Sequence, residues 1–318
     1  MKTEISTDRN AAVELLRKGE IVALPTETVY GLAAAALDPI AVAKIFEAKG
    51  RPRFDPLIVH LPDRDWLEKV VDLRDEDRQL LGVLAKKFWP GPLTIVLPRK
   101  TIVPEIVTAG LDTVAVRISA HSVFTEIVGA LGAPLAAPSA NRFGRISPTT
   151  AQHVADELSS RVPLIIDGGE TPHGIESTIV AVRDGKIEIL RRGPITSEQL
   201  SEFGEVVTAT GRGKISAPGQ LPSHYAPKTA LRVIDDVKSF ESKKRCALLA
   251  WNPVKKDDRF IAIRNLTEKQ DLREAATNLF RYLRELDALG VDLIVAERVP
   301  SQGLGAAILD RLQRASHA

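Results

Sequence analysis

The sequence has a single cysteine, no long apolar run and almost no net charge. One cysteine cannot form an internal disulfide, and the apolar surroundings of Cys246 in CALLAW indicate a buried structural thiol in a reducing compartment. No stretch approaches the length of about 20 apolar residues that spans a bilayer, and the polar start MKTEISTDRN does not resemble a signal peptide. We therefore expect a cytoplasmic protein that does not enter a membrane.

Charge and repetition argue against two further classes of protein. The 43 basic residues nearly balance the 41 acidic ones, and the resulting charge of +2 does not indicate a strong field for nucleic acid. Low-complexity tracts and repeats of a solenoid period are absent, which argues against an extended binding array. The length of 318 residues predicts one large domain and a smaller one.

Familiar catalytic and phosphate-binding motifs are also missing from the sequence. GRGKIS at 211–216 lacks the spacing of a Walker loop, and GLGAA at 303–307 lacks the third glycine of a dinucleotide-binding turn. We recognise no Ser-His-Asp or Cys-His set, and no spacing of His and carboxylates typical of a tight metal site. Such a chain is expected to position and neutralise its ligands without forming a covalent intermediate.

The sequence does contain short β-branched runs that alternate with amphipathic segments, which is the pattern of an α/β protein. Helices are predicted at 39–49 and 75–87. An Asp-Gly step between STIVAV and KIEILR favours a tight hairpin, so the sheet is expected to be mixed. The other predicted strands are IVALP at 21–25, LIVHL at 57–61, LTIVLP at 93–98, TVAVRIS at 113–119 and VPLIID at 162–167.

A change in composition separates the two predicted domains. Residues 208–220 are rich in glycine and small residues and have no periodic apolar face. We therefore predict a first domain at 1–207, a linker at 208–230 and a smaller, doubly wound domain at 231–318. A long helix is expected between Thr267 and Leu289, with Thr267 as its cap and Gly290 at its end.

Two polar clusters lie where an α/β fold binds ligands. Lys49, Arg51 and Arg53 follow a predicted helix and precede a strand, so they either offset the helix dipole or line the crevice beside the sheet. Ser139 and Asn141, two residues apart on an extended segment, should direct their side chains to the same side. Both clusters are compatible with an anionic ligand.

Several further residues leave both a structural and a functional interpretation open. Ser147 either caps a helix that begins at Pro148 or exposes an anion site at that helix terminus. Arg117, which shares a strand with Thr113, is either half of a surface ion pair or a clamp for a carboxylate, and Arg191 follows its own strand in the same manner. His60 and His121, each taken alone, are more typical of structural histidines than of catalytic bases.

The motifs together resemble the Sua5 branch of the Sua5/YrdC/YwlC threonylcarbamoyl-AMP synthases, over nearly the whole chain. Lys49 and Arg51 match the KxR signature of that family, and Ser139 and Asn141 match its SxN signature. LPSHYAP at 221–227 is similar to the long Sua5 form. The remaining motifs are PTETVYGL at 25–32, PLIVH at 56–60, FWPGPLT at 88–94, DTVAVR at 112–117, APSAN at 137–141, SPTTAQHV at 147–154 and GIESTIV at 174–180.

The resemblance implies a YrdC-like twisted mixed sheet with flanking helices, plus a smaller Rossmann-like α/β domain. It implies Lys49 and Arg51 as the catalytic residues and the 208–230 linker as a lid. The threonine site would contain Thr28, His60, Arg117, Ala137 and Ser177. The nucleotide site would contain Lys49, Arg51, Asp55, Thr113, Ser139, Asn141, Ser147, Arg191, His224 and Tyr225.

Two positions depart from the pattern of the family. Asp55 stands where members often have Asn, which places a carboxylate near phosphate unless Mg²⁺ or a neighbouring arginine intervenes. Arg192 replaces the usual Pro after Arg191 and adds a charge. The sequence assigns no role to that charge.

The implied reaction joins L-threonine, bicarbonate and ATP into threonylcarbamoyl-AMP, with Mg²⁺ carried on the nucleotide. The product would pass to the tRNA threonylcarbamoyltransferase machinery for t6A at position 37. Two alternatives are a module that binds double-stranded RNA or the ribosome, and an enzyme of carbamoyl transfer. The charge of +2 makes direct RNA contact a secondary role at most.

Overall fold

The computed structural model describes residues 2–208, 217 and 224–317. In this part of the chain, eleven strands form one mixed sheet in the order β1-β8-β2-β3-β7-β4-β6-β5-β9-β10-β11. The strands are β1 (Glu4–Ser6), β2 (Val22–Leu24), β3 (Gly31–Ala35), β4 (Ile58–His60), β5 (Leu93–Pro98), β6 (Thr113–Arg117), β7 (Leu135–Ala136), β8 (Leu164–Ile166), β9 (Thr178–Arg183), β10 (Lys186–Arg191) and β11 (Val206–Thr208).

Helices flank this sheet, and the predicted α/β class is confirmed. They are α1 (Arg9–Arg17), α2 (Pro39–Lys49), α3 (Leu67–Val70), α4 (Asp75–Phe88), α5 (Glu105–Thr108), α6 (Ser122–Leu131), α7 (Ala151–Leu158) and α8 (Ser197–Ser201). A short 3₁₀ helix, Arg64–Trp66, precedes α3. We call residues 2–208 the N-terminal unit.

The helix α2 and the hairpin β9–β10 show how local sequence sets local structure. Asp38 caps α2 by accepting two backbone N–H groups, Pro39 begins the helix, and Gly50 ends it in the left-handed region at φ 61°. In the hairpin, Asp184 and Gly185 have φ of 52° and 70°, as a tight turn requires. Strand β10 runs antiparallel to β9. Both elements match the sequence prediction.

Residues 231–317, which we call the C-terminal unit, contain a second, parallel sheet in the order β12-β15-β13-β14. Cys246 is buried at the start of β13. The elements of this unit are β12 (Leu231–Ile234), a 3₁₀ helix (Val237–Ser239), β13 (Cys246–Ala250), β14 (Phe260–Asn265), α9 (Leu272–Asp287), β15 (Leu293–Glu297) and α10 (Leu304–Ser316).

The predicted long helix is present as α9, but the cap prediction is wrong. Asp271 caps α9 by accepting the N–H of Arg273. Thr267 cannot start the helix because Gln270, between the two positions, has a φ of 57°. Thr267 instead accepts two loop amides, at Lys269 and Asp271.

The two units share an apolar cluster. Val29, Ile146 and Ile175 of the N-terminal unit pack in one core with residues of α9, including Phe280. A Cβ added at Gly174 would lie 2.5 Å from the Cα and the carbonyl oxygen of Thr277 in α9, so the backbones approach closely there. Docking of the two units therefore depends on close packing.

The described residues test the predicted domain limits only in part. Thr208, placed at the start of the linker, is the last residue of β11 and pairs with β10. Linker residues 209–216 and 218–223, with Met1 and Ala318, lie outside the described residues. In the described ranges, we find no helix of the length and apolar character that crossing a membrane requires.

Candidate active site

An open cavity lies at the ends of the central strands, and its wall includes Tyr225, which stacks on Phe280 of α9. Ten of the predicted site residues line it. They are Thr28, Arg51, His60, Arg117, Ala137, Ser139, Ser177, Arg191, His224 and Tyr225, and the other described lining residues are Thr26, Val29, Gly31, Ile58, Pro138 and Glu176. The fold thus gathers residues that are widely separated in sequence.

At one end of the cavity, two adjacent parallel strands place Arg117 beside His60. Arg117 is buried and forms an ion pair with Glu27, while its Nη1 lies 3.3 Å from Oγ1 of Thr28. Ser119 donates to the other oxygen of Glu27 at 2.5 Å. The surface ion pair considered for Arg117 is therefore wrong, because its partner is buried with it.

His60 is a neutral group at neutral pH. Burial, and then the charge of Arg117, hold the pKa of His60 well below its ordinary value of 6.5. Its Nδ1 has no hydrogen-bond partner among the described residues, and its ring centroid lies 4.7 Å from that of Phe124. His60 can thus offer a hydrogen bond to a ligand without adding a charge.

Ser177 and Arg191 are fixed against each other at the start of β9 and the end of β10. Nε of Arg191 donates to the backbone oxygen of Ser177 at 3.1 Å, and its Nη2 donates to the hydroxyl at 3.0 Å. Thr94 lies 2.8 Å from the same hydroxyl, Oγ to Oγ. Ala137, also predicted, lines the cavity with its N–H donated to Ile58 at 3.0 Å.

Lys49 does not line the cavity. It is 2% exposed, and its ammonium donates to the backbone oxygens of Ser139 and Asn141. Burial, and then Arg51, hold the pKa of Lys49 well below its ordinary value. Lys49 is therefore placed to support the loop that carries the SxN signature.

Ser139 and Asn141 do not both line the cavity. Ser139 pairs with Gly31 and lines the cavity, whereas the amide of Asn141 donates to the backbone oxygens of Arg142 and Arg145. The prediction assumed an extended segment, but the chain bends from Ala140 onward. Of the two residues, Ser139 lines the cavity.

Arg51 reaches the cavity already paired. Its Nη2 lies 2.9 Å from Oδ2 of Asp55 and donates to the oxygen of Pro56 at 2.8 Å. Burial raises the pKa of Asp55, which Arg51 opposes. Because Lys49 and Arg51 are both buried, dipole compensation at a solvated helix end does not describe them; Arg53 is exposed.

Ser147 is buried beside the cavity but caps no helix. Thr150 caps α7, which begins at Ala151, so the predicted start at Pro148 is wrong. The backbone oxygens of Pro148 and Thr149 accept hydrogen bonds from Tyr30 and Thr171, and these tertiary bonds replace a first helical turn. Ser147 donates instead to Oε1 of Glu176.

Thr113, predicted for the nucleotide site, lies at the opposite end of β6 from Arg117. It opens β6 opposite Pro98, while Arg117 closes the same strand. At about 3.3 Å per residue, the two lie roughly 13 Å apart along β6. Thr113 does not line the cavity.

His224 and Tyr225 line the cavity, and the charges of Arg51 and Arg191 act on His224 there. Their ring centroids lie 4.1 Å apart, and Tyr225 stacks on Phe280 of α9 at 5.6 Å. Burial raises the pKa of Tyr225 to about 12, and burial, followed by Arg51, lowers that of His224 well below 6.5. Both side chains are therefore neutral at pH 7.

Sequence reasoning missed three charged residues of the site region: Glu27, Glu176 and Arg311. Glu27 and Glu176 lie within PTETVYGL and GIESTIV, which were recognised as motifs, yet a carboxylate beside expected anion sites gave no signal of its own. Glu176 lines the cavity, and Arg311 pairs with it from α10 at 3.0 Å. These partners are set by tertiary contact.

The described lining is cationic overall, with Arg51, Arg117 and Arg191 against Glu176. Asp55 and Glu27 lie behind two of these arginines and hold them in place. Buried arginines fixed in this way can neutralise carboxylate or phosphate without large rearrangement. The cavity is therefore suited to two anionic groups.

Two family models together cover most of the chain. The model described as telomere recombination, Sua5_yciO_yrdC, matches residues 14–193. The model described as the C-terminal domain of threonylcarbamoyl-AMP synthase matches residues 195–317. The order of the two matches follows the order of the two sheets.

Curated relatives and solved structures resemble the chain over nearly its whole length. The threonylcarbamoyl-AMP synthase of Pyrococcus abyssi is 40% identical, over 96% of this chain and 93% of its own. That of Bacillus subtilis is 39% identical, over 96% and 92%. The structure of P. abyssi Sua5 complexed with L-threonine superposes with a TM-score of 0.90, at 37% identity over 100% of this chain and 98% of its own.

Proposed function

The chain belongs to the Sua5/YciO/YrdC family, and we propose that it joins L-threonine, bicarbonate and ATP into threonylcarbamoyl-AMP with release of pyrophosphate. The observation that carries this function is the single cavity that collects Arg51, Arg117 and Arg191. A synthase of this kind must bring a carboxylate and a triphosphate together. Fixed cations offset their repulsion in a desolvated site.

The end of the cavity at Arg117 is the proposed threonine site. Arg117 and the neutral His60 lie side by side there and can hold a carboxylate by charge and by hydrogen bond. Hydroxyls of Thr28 and Ser177 line the same cavity. A polar contact to the threonine hydroxyl favours threonine over valine, because valine leaves that contact unmade.

The opposite end, with Arg51, Arg191, Ser139, His224 and Tyr225, is the proposed nucleotide site. The amino group of threonine and bicarbonate form N-carboxythreonine with loss of water. Its carboxylate then attacks the α-phosphorus of ATP, and pyrophosphate leaves. The arginines stabilise the charge on the reacting phosphate, and the chain supplies positioning without a covalent intermediate.

Mg²⁺ is proposed to arrive with ATP and to neutralise part of the charge of the triphosphate. Glu176 is the carboxylate among the described lining residues, and its two oxygens are engaged by Ser147 and Arg311. Within the described ranges, no group of three or more His, Cys, Asp or Glu side chains is placed to hold a metal. This donor set fits an ion held by phosphates and water.

The product is proposed to serve the t6A modification of tRNA in the cytoplasm. Threonylcarbamoyl-AMP is a mixed anhydride, so a transferase that accepts an activated acyl group must consume it. Bicarbonate supplies the carbamoyl carbon. These steps rest on the family of the chain and on the chemistry of the adenylate.

The test is pyrophosphate release that depends on threonine. Purified protein is incubated with labelled ATP, Mg²⁺ and bicarbonate, with L-threonine, with L-valine or without amino acid. We expect pyrophosphate and a labelled adenylate with threonine only. Equal release without threonine, or no release under any condition, contradicts the proposal.

A further inference from the structure

Arg311 of α10 is a fully buried charge at the junction of the two units, with 0% of its surface exposed. Its Nε donates to Oε2 of Glu176 at 3.0 Å, and its Nη2 donates to the backbone oxygen of Arg192 at 2.8 Å. Nη1 donates to Asp310 at 2.7 Å. The guanidinium carbon lies 5.0 Å from the ring centroid of Tyr225, within the range of a cation–π contact.

The site residues that Arg311 contacts either line the cavity or adjoin a lining residue. Glu176 and Tyr225 line it, and Arg192 follows the lining residue Arg191. Arg311 itself does not line the cavity. It therefore acts on a ligand through the residues that it touches.

Arg311 contacts both Glu176 and Tyr225, so its pairing with Glu176 also sets the charge of the proposed nucleotide end. Without Arg311, Glu176 would keep a carboxylate in the cavity wall with one oxygen unpaired. A buried charge without its partner is costly, and a negative wall repels phosphate. The loss of Arg311 would also remove the cation–π contact from one face of the Tyr225 ring.

We propose that Arg311 is a positioning residue for ATP, through which the C-terminal unit completes the nucleotide end of the cavity. This inference rests on the proposed synthase function. Arg311 fixes Glu176, the end of β10 and Tyr225 in one arrangement, and it cancels the charge of Glu176.

Arg284 of α9 offers a matched control for mere docking. Like Arg311, it crosses between the units, where it contacts Glu157 at 3.2 Å and the backbone oxygen of Ile146. Neither Glu157 nor Ile146 lines the cavity. If Arg311 only docks the units, substitution of either arginine should have the same effect on ATP.

The experiment uses the full chain with Arg311→Met, Arg311→Lys and Arg284→Met, each assayed at a temperature at which circular dichroism shows it folded. KM values for ATP and threonine come from pyrophosphate release, and calorimetry gives the Kd of a non-hydrolysable ATP analogue. We expect R311M to raise the KM for ATP and the Kd of the ATP analogue about tenfold or more each, and to raise the threonine KM less than about twofold. Lysine keeps the positive charge but lacks the planar set of N–H donors, so the ATP values of R311K should lie between those of the wild type and R311M.

R284M should lower the melting temperature while leaving the ATP values within about twofold of the wild type. The double variant R311M/E176Q removes the unpaired carboxylate, so it should bind the analogue better than R311M alone. Equal ATP effects of R311M and R284M, or a double variant no better than R311M, would overturn the role of Arg311.

The two proposals fail in different ways. If the wild type binds the analogue but releases no threonine-dependent pyrophosphate, the synthase function is wrong, and calorimetry of the variants still decides the role of Arg311. If the wild type is active and R311M matches it in both ATP values, the role of Arg311 alone is wrong.

Discussion

The two ends of the cavity are built in different ways. At the proposed threonine end, Arg117 and His60 sit on adjacent strands of one sheet, and the ion-pair partner of Arg117, Glu27, belongs to the same unit. At the proposed nucleotide end, Tyr225 belongs to the predicted linker and stacks on Phe280 of α9 in the C-terminal unit. One end is complete within the N-terminal unit, and the other depends on docking.

This difference separates two kinds of substitution. A change at the threonine end should act locally, because strands position side chains rigidly. A change at the contact between the units should act mainly on the nucleotide end when it touches a lining residue, as Arg311 does, or adjoins one, as Gly174 adjoins Glu176. A change elsewhere at that contact, such as Arg284→Met, should lower stability without that effect. The predictions below test that separation, from the largest expected effect to the smallest.

Arg117→Met should have the largest effect. It removes the proposed carboxylate contact and leaves Glu27 buried without its ion-pair partner, so kcat/KM for threonine should fall about 100-fold or more. Initial rates at varied threonine and varied ATP measure it. Arg183→Met, which removes a half-exposed arginine from the end of β9, is the control and should stay near wild type. A larger change in the ATP KM than in the threonine KM would break the comparison.

Gly174→Ala should disturb the nucleotide end from a distance. The added Cβ meets the backbone of Thr277, and φ at this position is 67°, so overpacking of about 1–3 kcal/mol adds to backbone strain. We expect lower stability in urea and a rise in the ATP KM that exceeds the rise in the threonine KM. Gly185→Ala has a similar φ of 70° and nothing within 4 Å, so it controls for strain alone. Identical behaviour of the two variants would contradict the role of docking.

Asp55→Asn should strengthen ATP binding at the nucleotide end. The substitution replaces the carboxylate beside Arg51 by a neutral amide, which can still accept a hydrogen bond from the arginine but no longer repels phosphate. We expect the ATP KM to fall about threefold, with the threonine KM unchanged. Titration with the non-hydrolysable ATP analogue provides an independent measure. A weaker affinity for the analogue would show that Asp55 positions Arg51 more than it repels phosphate.

The smallest effect concerns pH and the contact between the units. Burial, followed by Arg284, lowers the pKa of His153 on α7 from 6.5 to about 4. Between these values the unfolded chain binds more protons than the folded one, so stability falls as pH drops from 6.5 towards 4. Free energies of unfolding in urea across this window should fall less steeply for His153→Gln than for the wild type. Parallel pH dependences would contradict the assignment to His153.

Local elements were predicted well because their causes are local. Asp38, Pro39 and Gly50 set the two ends of α2 within a dozen residues, and Asp184 and Gly185 set the hairpin. The predicted cap at Ser147 failed for the opposite reason. Ser147 has its hydroxyl bonded to Glu176, 29 residues away in sequence, and that partner is invisible to a local pattern.

The departure at Arg192 illustrates the same limit. The sequence drew attention to its charged side chain. In the fold, however, its backbone oxygen accepts a hydrogen bond from Arg311, 119 residues away. Nη2 of its side chain lies 3.5 Å from Oγ1 of Thr208. Residue identity alone does not reveal which atom of a residue is used.

The sequence by itself determined the α/β class, the hairpin, the family and most of the residues that line the cavity, because these follow from local propensity and from ordered motifs. Tertiary structure alone decided which arginines face the cavity already paired, that Lys49 supports a loop, and that Arg311 reaches Glu176 across 135 residues of chain. Burial is the physical reason. A charged group taken out of water must find a partner in space, and the position of that partner is a property of the folded chain.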